Sequence, residues 1–404
     1  MRILISVSFF TPAFRAGGPV RSLSYLLSHL KGDFEFLILT SDRDLGDSEP
    51  YAGLPRDQWV EAHGAQVRYC SPGSLTPWGL AKILRETPHD LLYLNSFFSS
   101  RFTIALLMAR RFFNCPAAPV LLAPRGEFSP GALAINHVKK QAYIQVGKAL
   151  GLFRDIFWHA STEHEKVDIQ AKMAVPDGQV GIACNLAAPL PAEPPFHALR
   201  AKDEPLRVLF LSRISPKKNL GFAFDVLKNV SIPIRFTVMG PEEDVAYSER
   251  CREQIRALPD HVIVDWVGAI PHDKVANAMV AHDLFFLPTQ GENFGHVIAE
   301  ALGVGTPVLI SDTTPWRGLA EKGIGFDISL ETPAGFHEAL SQIWKLGPEE
   351  YAVLRVNVFA YAQERQRTGS EVEAHRTLFL RVLADSGFFE ANLQNNVREN
   401  EYEI

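Results

Sequence analysis

Cysteine is scarce. The 404 residues contain four, Cys70, Cys115, Cys184 and Cys251, far apart and without C-x-x-C spacing, which excludes a disulfide scaffold or a zinc ribbon. The chain opens MRILISVSFF, unlike a secretion signal, so a reducing cytoplasm is the expected compartment. Long apolar runs are also lacking. Stretches such as 284-LFFLP-288 and 119-PVLLAP-124 fall far short of the ~20 residues that span a bilayer, so contact with a membrane is expected only at its surface. Positive charge is not in excess, with 40 Lys and Arg against 46 Asp and Glu and a net charge of −6, which argues against nucleic acid as a partner. Neither G-x-G-x-x-G nor G-x-x-x-x-G-K-[ST] occurs, so NAD and P-loop chemistry lose their usual signals. The histidines show no H-E-x-x-H or clustered ligand spacing, and no metal or cofactor is assigned.

What is present is a soluble-enzyme composition, 47% hydrophobic and 21% charged, at a length that suits two domains. Short apolar runs alternate with helical patterns, the signature of βα units around a mostly parallel sheet. In the first half the expected strands are 2–7, 34–40, 65–70, 91–94, 120–123, 156–160 and 180–183. Then 187-AAPLPAEPPF-196 carries four prolines, which is linker composition. The alternation restarts with 207–211, 235–239, 261–267, 284–287 and 307–310. The expected organisation is a first domain over 1–188, a second over 197–366, a helix over 367–391 and a polar tail over 392–404.

Three loops at strand ends concentrate polar chemistry. In 290-QGENFGHVIAEALGVGTPVLISD-312 a strand runs into a loop and then a helix starting near Gly295. Glu292 stands ahead of that helix and Glu300 lies inside it, so two carboxylates bracket a helix N-terminus whose free amides, with those of Asn293 to Gly295, suit a phosphate. Carboxylates suit sugar hydroxyls, and one molecule with a sugar and a diphosphate would use both parts. In 211-LSRISPKKNL-220, Arg213 offers a planar fork and Lys218 a point charge, a pairing suited to a diphosphate. In a parallel sheet both loops emerge at the strand ends where ligands bind. The third loop, after the first strand, holds Gly17 and Gly18 ahead of an apolar-faced helix, where close backbone approach is available.

Together these stretches resemble the family 4 retaining glycosyltransferases of GT-B fold, over most of the chain from Arg2 to about Leu383. The resemblance implies an α/β fold of two Rossmann-like, doubly wound domains facing each other across a cleft, with a final helix crossing back to the first domain. It implies transfer of a sugar from a nucleotide diphosphate sugar to a hydroxyl of a saccharide or lipid-linked acceptor, as in cell-surface polysaccharide or glycolipid synthesis, without a metal ion. By resemblance, Glu292 contacts the donor sugar, Glu300 the ribose, and Arg213 and Lys218 the diphosphate. Gly18, Gly240, Gly268, Asn293, Phe294, Gly295 and Val297 complete the expected donor pocket, with His296 at its side. The segment 158-WHASTEHE-165 is similar to the family's H-A-T-S-E stretch. Departures occur at Ser212, at 183-ACNL-186 and at Arg125, which stands where many members carry an acceptor-side histidine. Arg125 and Asn95 are therefore the expected acceptor contacts. The competing readings are a sugar-nucleotide 2-epimerase and a non-catalytic relative that binds sugar nucleotide.

Two further segments carry expectations. Lys139, Lys140, Lys148 and Arg154 accompany Val138, Tyr143, Ile144, Leu150 and Phe153, a pattern suited either to an anionic lipid surface or to an ordinary half-buried helix. Asp42 and Asp44 form a D-x-D that is expected to be a solvated turn rather than a metal site. In 93-YLNSFFSSRF-102 the aromatics suit either core packing or an acceptor surface, with the core favoured because aromatics are mostly buried.

Overall fold

The computed structural model describes residues 1–134, 136–195 and 197–385. It divides into two compact units, one formed by Met1–Leu186 with the stretch from Ser370, the other by Ala187–Gly369. The polar tail expected over 392–404 and the end of the helix expected over 367–391 lie outside the described residues.

The first unit is built on eight strands: β1 (Arg2–Ser6), β2 (Glu35–Ser41), β3 (Trp59–Ala62), β4 (Ala65–Cys70), β5 (Leu91–Asn95), β6 (Val120–Ala123), β7 (Ile156–Ala160) and β8 (Val180–Ile182). Their order is β3-β4-β2-β1-β5-β6-β7-β8, and every pairing is parallel except β3 with β4. β5 and β6 are buried along their whole length, which explains their unbroken apolar sequences. Only β3 escaped the sequence pattern. It is an edge strand, half exposed, joined to β4 through His63 and Gly64, both at positive φ as a tight hairpin turn requires.

The helix Ser370–Asp385 belongs to this unit. Phe379 packs edge-on against Phe34 and Tyr93, each with ring centroids 5.5 Å apart, and His375 meets His159 edge-on at 5.2 Å. Burial, reinforced by the positive charge of Arg125, pushes His375 down to about 4. His159 is driven well below its ordinary value by burial first and by Arg125 next. A folded-state value below the unfolded one means that the unfolded chain takes up the proton first. Stability is therefore full above pH 6.5 and falls as the pH drops towards 4, by about 3 kcal/mol from His375 alone. Thermal unfolding across that range should show the loss, and His375→Asn, which cannot charge, should reduce it to the part that His159 carries.

Asp42 and Asp44 are not a solvated turn. Asp42 is 1% exposed and bonds the Nε atoms of Arg43 at 2.8 Å and Arg56 at 3.0 Å. Asp44, 4% exposed, accepts from the backbone N–H groups of Phe14, Arg15 and Leu45. Both carboxylates fasten loops at the ends of β1 and β2. In the aromatic segment, Tyr93, Phe97 and Phe102 are buried in the core, as expected.

The second unit carries six parallel strands: β9 (Leu206–Leu211), β10 (Ile234–Met239), β11 (Val262–Gly268), β12 (Leu284–Leu287), β13 (Val308–Ser311) and β14 (Gly325–Ile328), in the order β11-β10-β9-β12-β13-β14. The chain winds outward from β9 in one direction and then, starting with β12 on its other side, in the other. The crevice at such a reversal is where open α/β sheets receive ligands. The long helix Pro348–Arg367 is held by Arg355, which donates to the carbonyl of Val304 at 2.8 Å, and by Tyr351, which donates to the carbonyl of Asp283 at 2.7 Å. The proline-rich stretch runs along this helix, with Leu190 N–H donating to Gln366 at 3.2 Å.

Candidate active site

The loops after β9 and β12 leave neighbouring strands, since Leu284 and Phe285 pair with Val208 and Leu209. Lys218 ends a single 3-10 turn, Pro216–Lys218, and Asn219 then takes a left-handed conformation at φ 60° to start the helix Leu220–Leu227. The carbonyl of Lys217 accepts from Gln290 N–H at 2.8 Å and from the Thr289 hydroxyl at 3.1 Å, which ties the two loops together. Across that tie the Lys218 ammonium donates to the Glu292 carboxylate, and both side chains are only 12% exposed. Two residues 74 positions apart in sequence are thereby one unit.

Arg213 stands at the other end of the same loop, where Nη1 bonds Glu243 at 2.6 Å with both side chains nearly half exposed. Its backbone leans on the next strand. A Cβ on Gly240 would lie 1.8 Å from the carbonyl oxygen of Ser212, and Gly240 has φ +142°, so only glycine lets these two loops close. Gly240 N–H in turn donates to the carbonyl of Gly268 at 2.8 Å. Gly268, Gly240, Arg213, Lys218 and Glu292 thus follow one another along the carboxyl ends of β11, β10, β9 and β12. Gly240→Ala is expected to destabilise the second unit by at least about 3 kcal/mol, read as a drop in its unfolding midpoint in urea.

The helix that Glu292 precedes runs His296–Gly303. Gly295 caps it at φ +80° with no side-chain cap, and its carbonyl accepts from Ile298 N–H at 2.9 Å. At φ +80° an L side chain on residue 295 would be strained, which favours glycine here. Glu300 lies one turn inside and is half buried, while Asn293 is exposed in the loop. Phe294 and Val297, expected among the donor contacts, pack against the core of this unit at 6% and 8% exposure. Phe294 is clamped there, with its carbonyl accepting from Trp316 Nε1 at 2.5 Å and its ring 4.8 Å from that of His296. Trp316 and Glu243 did not stand out in the sequence, although 242-EED-244, just past Gly240-Pro241, is an acidic loop at a strand end.

The remaining expected residues lie in the first unit. Gly18 is exposed at the first turn of the helix Gly18–Leu30. Arg125 follows β6 and donates to Asn95, at the end of β5, through Nε at 3.1 Å and Nη2 at 2.8 Å. Among the described residues, no group of three or more His, Cys, Asp or Glu side chains is arranged to hold a metal ion, and no helix is long and apolar enough to cross a membrane.

Two Rossmann-like α/β domains, the second with its polar strand ends at the winding reversal, make the GT-B fold of glycosyltransferases. Residues 194–358 match the family of glycosyl transferases group 1. In the same vein, the chain is 30% identical over 139 residues to a phosphatidyl-myo-inositol mannosyltransferase of Mycobacterium leprae (strain TN), covering 33% of this chain and 35% of that protein. It is 27% identical over 209 residues to the amylovoran biosynthesis glycosyltransferase AmsK of Erwinia amylovora, covering 48% of each. The aligned segments thus span about a third to a half of these relatives. Among solved structures, Anabaena Alr3699/HepE in complex with UDP and glucose is similar in fold, with a TM-score of 0.60 at 17% identity over 94% of this chain and 99% of that one.

Proposed function

We propose that the protein is a retaining glycosyltransferase that moves a sugar from a nucleotide diphosphate sugar to a hydroxyl of a saccharide or lipid-linked acceptor, in the synthesis of a cell-surface polysaccharide or glycolipid. The observation that carries the reading is the Lys218–Glu292 pair at the winding reversal of the second sheet. In a sugar diphosphate the group that wants a cation and the group that wants a carboxylate are joined by one bond, the bond that breaks. The similarity to a mannosyltransferase and to a polysaccharide glycosyltransferase supports the same class.

In this reading Arg213 exchanges Glu243 for the diphosphate, and Lys218 and the first amides of the helix after Gly295 face its oxygens. As the C1–O bond to phosphate breaks, negative charge grows on the leaving oxygen and these groups hold it, without a divalent ion. Glu292 faces the sugar, where positive charge spreads over C1 and the ring oxygen. The acceptor oxygen bonds C1 on the face the phosphate leaves, and its proton passes to the leaving phosphate oxygen. Configuration is retained and no enzyme nucleophile is consumed. Glu300, a turn further on, binds the ribose.

The test is release of free nucleoside diphosphate from a panel of nucleotide sugars with and without saccharide acceptors. Release that requires an acceptor supports transfer. Release or C2 inversion without one points to hydrolysis or epimerisation, and binding without turnover points to a silent relative.

We place the acceptor's membrane side, if it is lipid-linked, at the helix His137–Ala149. Between residues 91 and 154 the chain has eight basic residues and one acidic one, Glu127, in a protein of net charge −6. On this helix and just beyond it Val138, Val146 and Leu150 are 81%, 57% and 42% exposed. Co-sedimentation with anionic vesicles should occur at low salt, fall at high salt, and fall again in Lys139→Glu/Lys148→Glu. Binding insensitive to both would remove the assignment.

A further inference from the structure

Arg125 is a half-buried cation whose acceptors are all neutral. Its guanidinium donates to Asn95 Oδ1 twice, to the Tyr93 hydroxyl at 2.8 Å and to Asn185 Oδ1 at 2.7 Å. The two carboxylates nearest in sequence or backbone contact are spent elsewhere. Glu127 binds Ser96 and the N–H groups of Phe97 and Phe98, and Glu165 binds Ser161 and the N–H of Gly126.

The neighbours are also oriented. His159 Nε2 meets the carbonyl of Ala183 at 2.8 Å, and a carbonyl only accepts, so Nε2 carries the proton. Nδ1 then accepts from the Tyr93 hydroxyl at 2.7 Å, and that hydroxyl accepts from Arg125. The chain Arg125 to Tyr93 to His159 to Ala183 runs one way and keeps the fork rigid. On the other side, the Asn95 carboxamide nitrogen is buried in a residue 5% exposed and has no hydrogen-bond partner. A spare guanidinium N–H and an unused amide make the locus rich in donors and poor in acceptors.

Its position fits a ligand rather than a strut. Asn95 ends β5 and Arg125 lies just past the carboxyl end of the adjacent parallel strand β6, where Asn95 pairs with Ala123. Ser96 and Arg125 both have left-handed backbones, at φ 78° and 57°, a strain that neither residue type prefers and that aims the side chains of this edge.

We propose that Arg125, with Asn95 beside it, binds an oxyanion carried by the acceptor, a sugar-acid carboxylate or a sugar phosphate. The fork supplies charge-assisted hydrogen bonds that a neutral sugar hydroxyl would not repay, because a guanidinium half out of water gains most from a full negative charge. As an acceptor site it rests on the glycosyltransferase reading, while as an anion site it stands alone.

The test is ligand-observed NMR on the full chain with glucuronate, glucose 6-phosphate and glucose. One of the two anionic sugars should bind at least tenfold more tightly than glucose, and which one identifies the anion. The preference should vanish in Arg125→Gln. It should also vanish in Asn95→Asp, which keeps an oxygen for the fork, so that the fold is preserved, and supplies an internal anion that competes with the ligand. It should persist in Lys218→Ala, which removes a cation of the proposed diphosphate site. Equal binding of charged and neutral sugars, or a preference that survives in folded Asn95→Asp, overturns the proposal. Acceptor-dependent release of nucleoside diphosphate with equal binding would sink this inference alone, whereas the preference without any release would sink the transferase reading and leave the anion site.

Discussion

Lys218→Ala is expected to lower kcat/KM for the donor by about a thousandfold, the largest effect of any single change in the second unit. Two losses combine. The leaving diphosphate loses a cation in a partly desolvated site, and Glu292, whose partner is Lys218, is left as a buried carboxylate without its counter-charge. Arg213→Ala should cost less, about a hundredfold, because its guanidinium is nearly half exposed and water replaces part of what is removed. Isothermal titration with nucleoside diphosphate should show weaker binding in both variants. Unchanged binding and turnover in both would remove the donor from these strand ends.

Glu292→Gln should reduce kcat by a hundredfold or more while changing donor KM little. Glutamine keeps the size and an acceptor oxygen for Lys218, but it loses the charge that opposes the positive sugar ring, and that charge matters only while the ring is positive. Glu300→Gln should do the reverse, raising donor KM about tenfold with a smaller change in kcat, since a ribose contact barely alters as the glycosidic bond breaks. Steady-state kinetics at saturating acceptor separate the two. The opposite pattern would exchange the two roles, and full activity in both would end the assignment of this loop.

Most strands were legible because a strand buried on both faces must be apolar nearly throughout, as in β5, β6, β12 and β13, while the less buried β4 and β11 still kept enough apolar residues to be read. β3 and β14 were not, since each has four residues, none of them a buried apolar side chain, so neither carries an apolar run. The loop chemistry was legible as residue types at strand ends, in Arg213, Lys218, Glu292 and Gly240. Orientation was not. Phe294 and Val297 share the motif with Glu292, yet both are buried, Phe294 in the loop ahead of the helix against Trp316 and Val297 in its first turn, and packing of that kind is not written in spacing alone.

The sequence by itself determined the alternation of strand and helix, the glycines where backbones must touch, and which side chains could carry charge at strand ends. These are local matters, settled by periodicity and by the conformations each residue allows. Only the tertiary structure decided partnership. It set β9 beside β12 so that Lys218 meets Glu292, it buried Asp42 and Asp44 as fasteners, and it gathered Tyr93, Asn95 and Asn185 around the Arg125 guanidinium. The reason is physical: strand order places residues ~5 Å apart that the chain separates by dozens of positions, and charges and hydrogen bonds act through that distance in space.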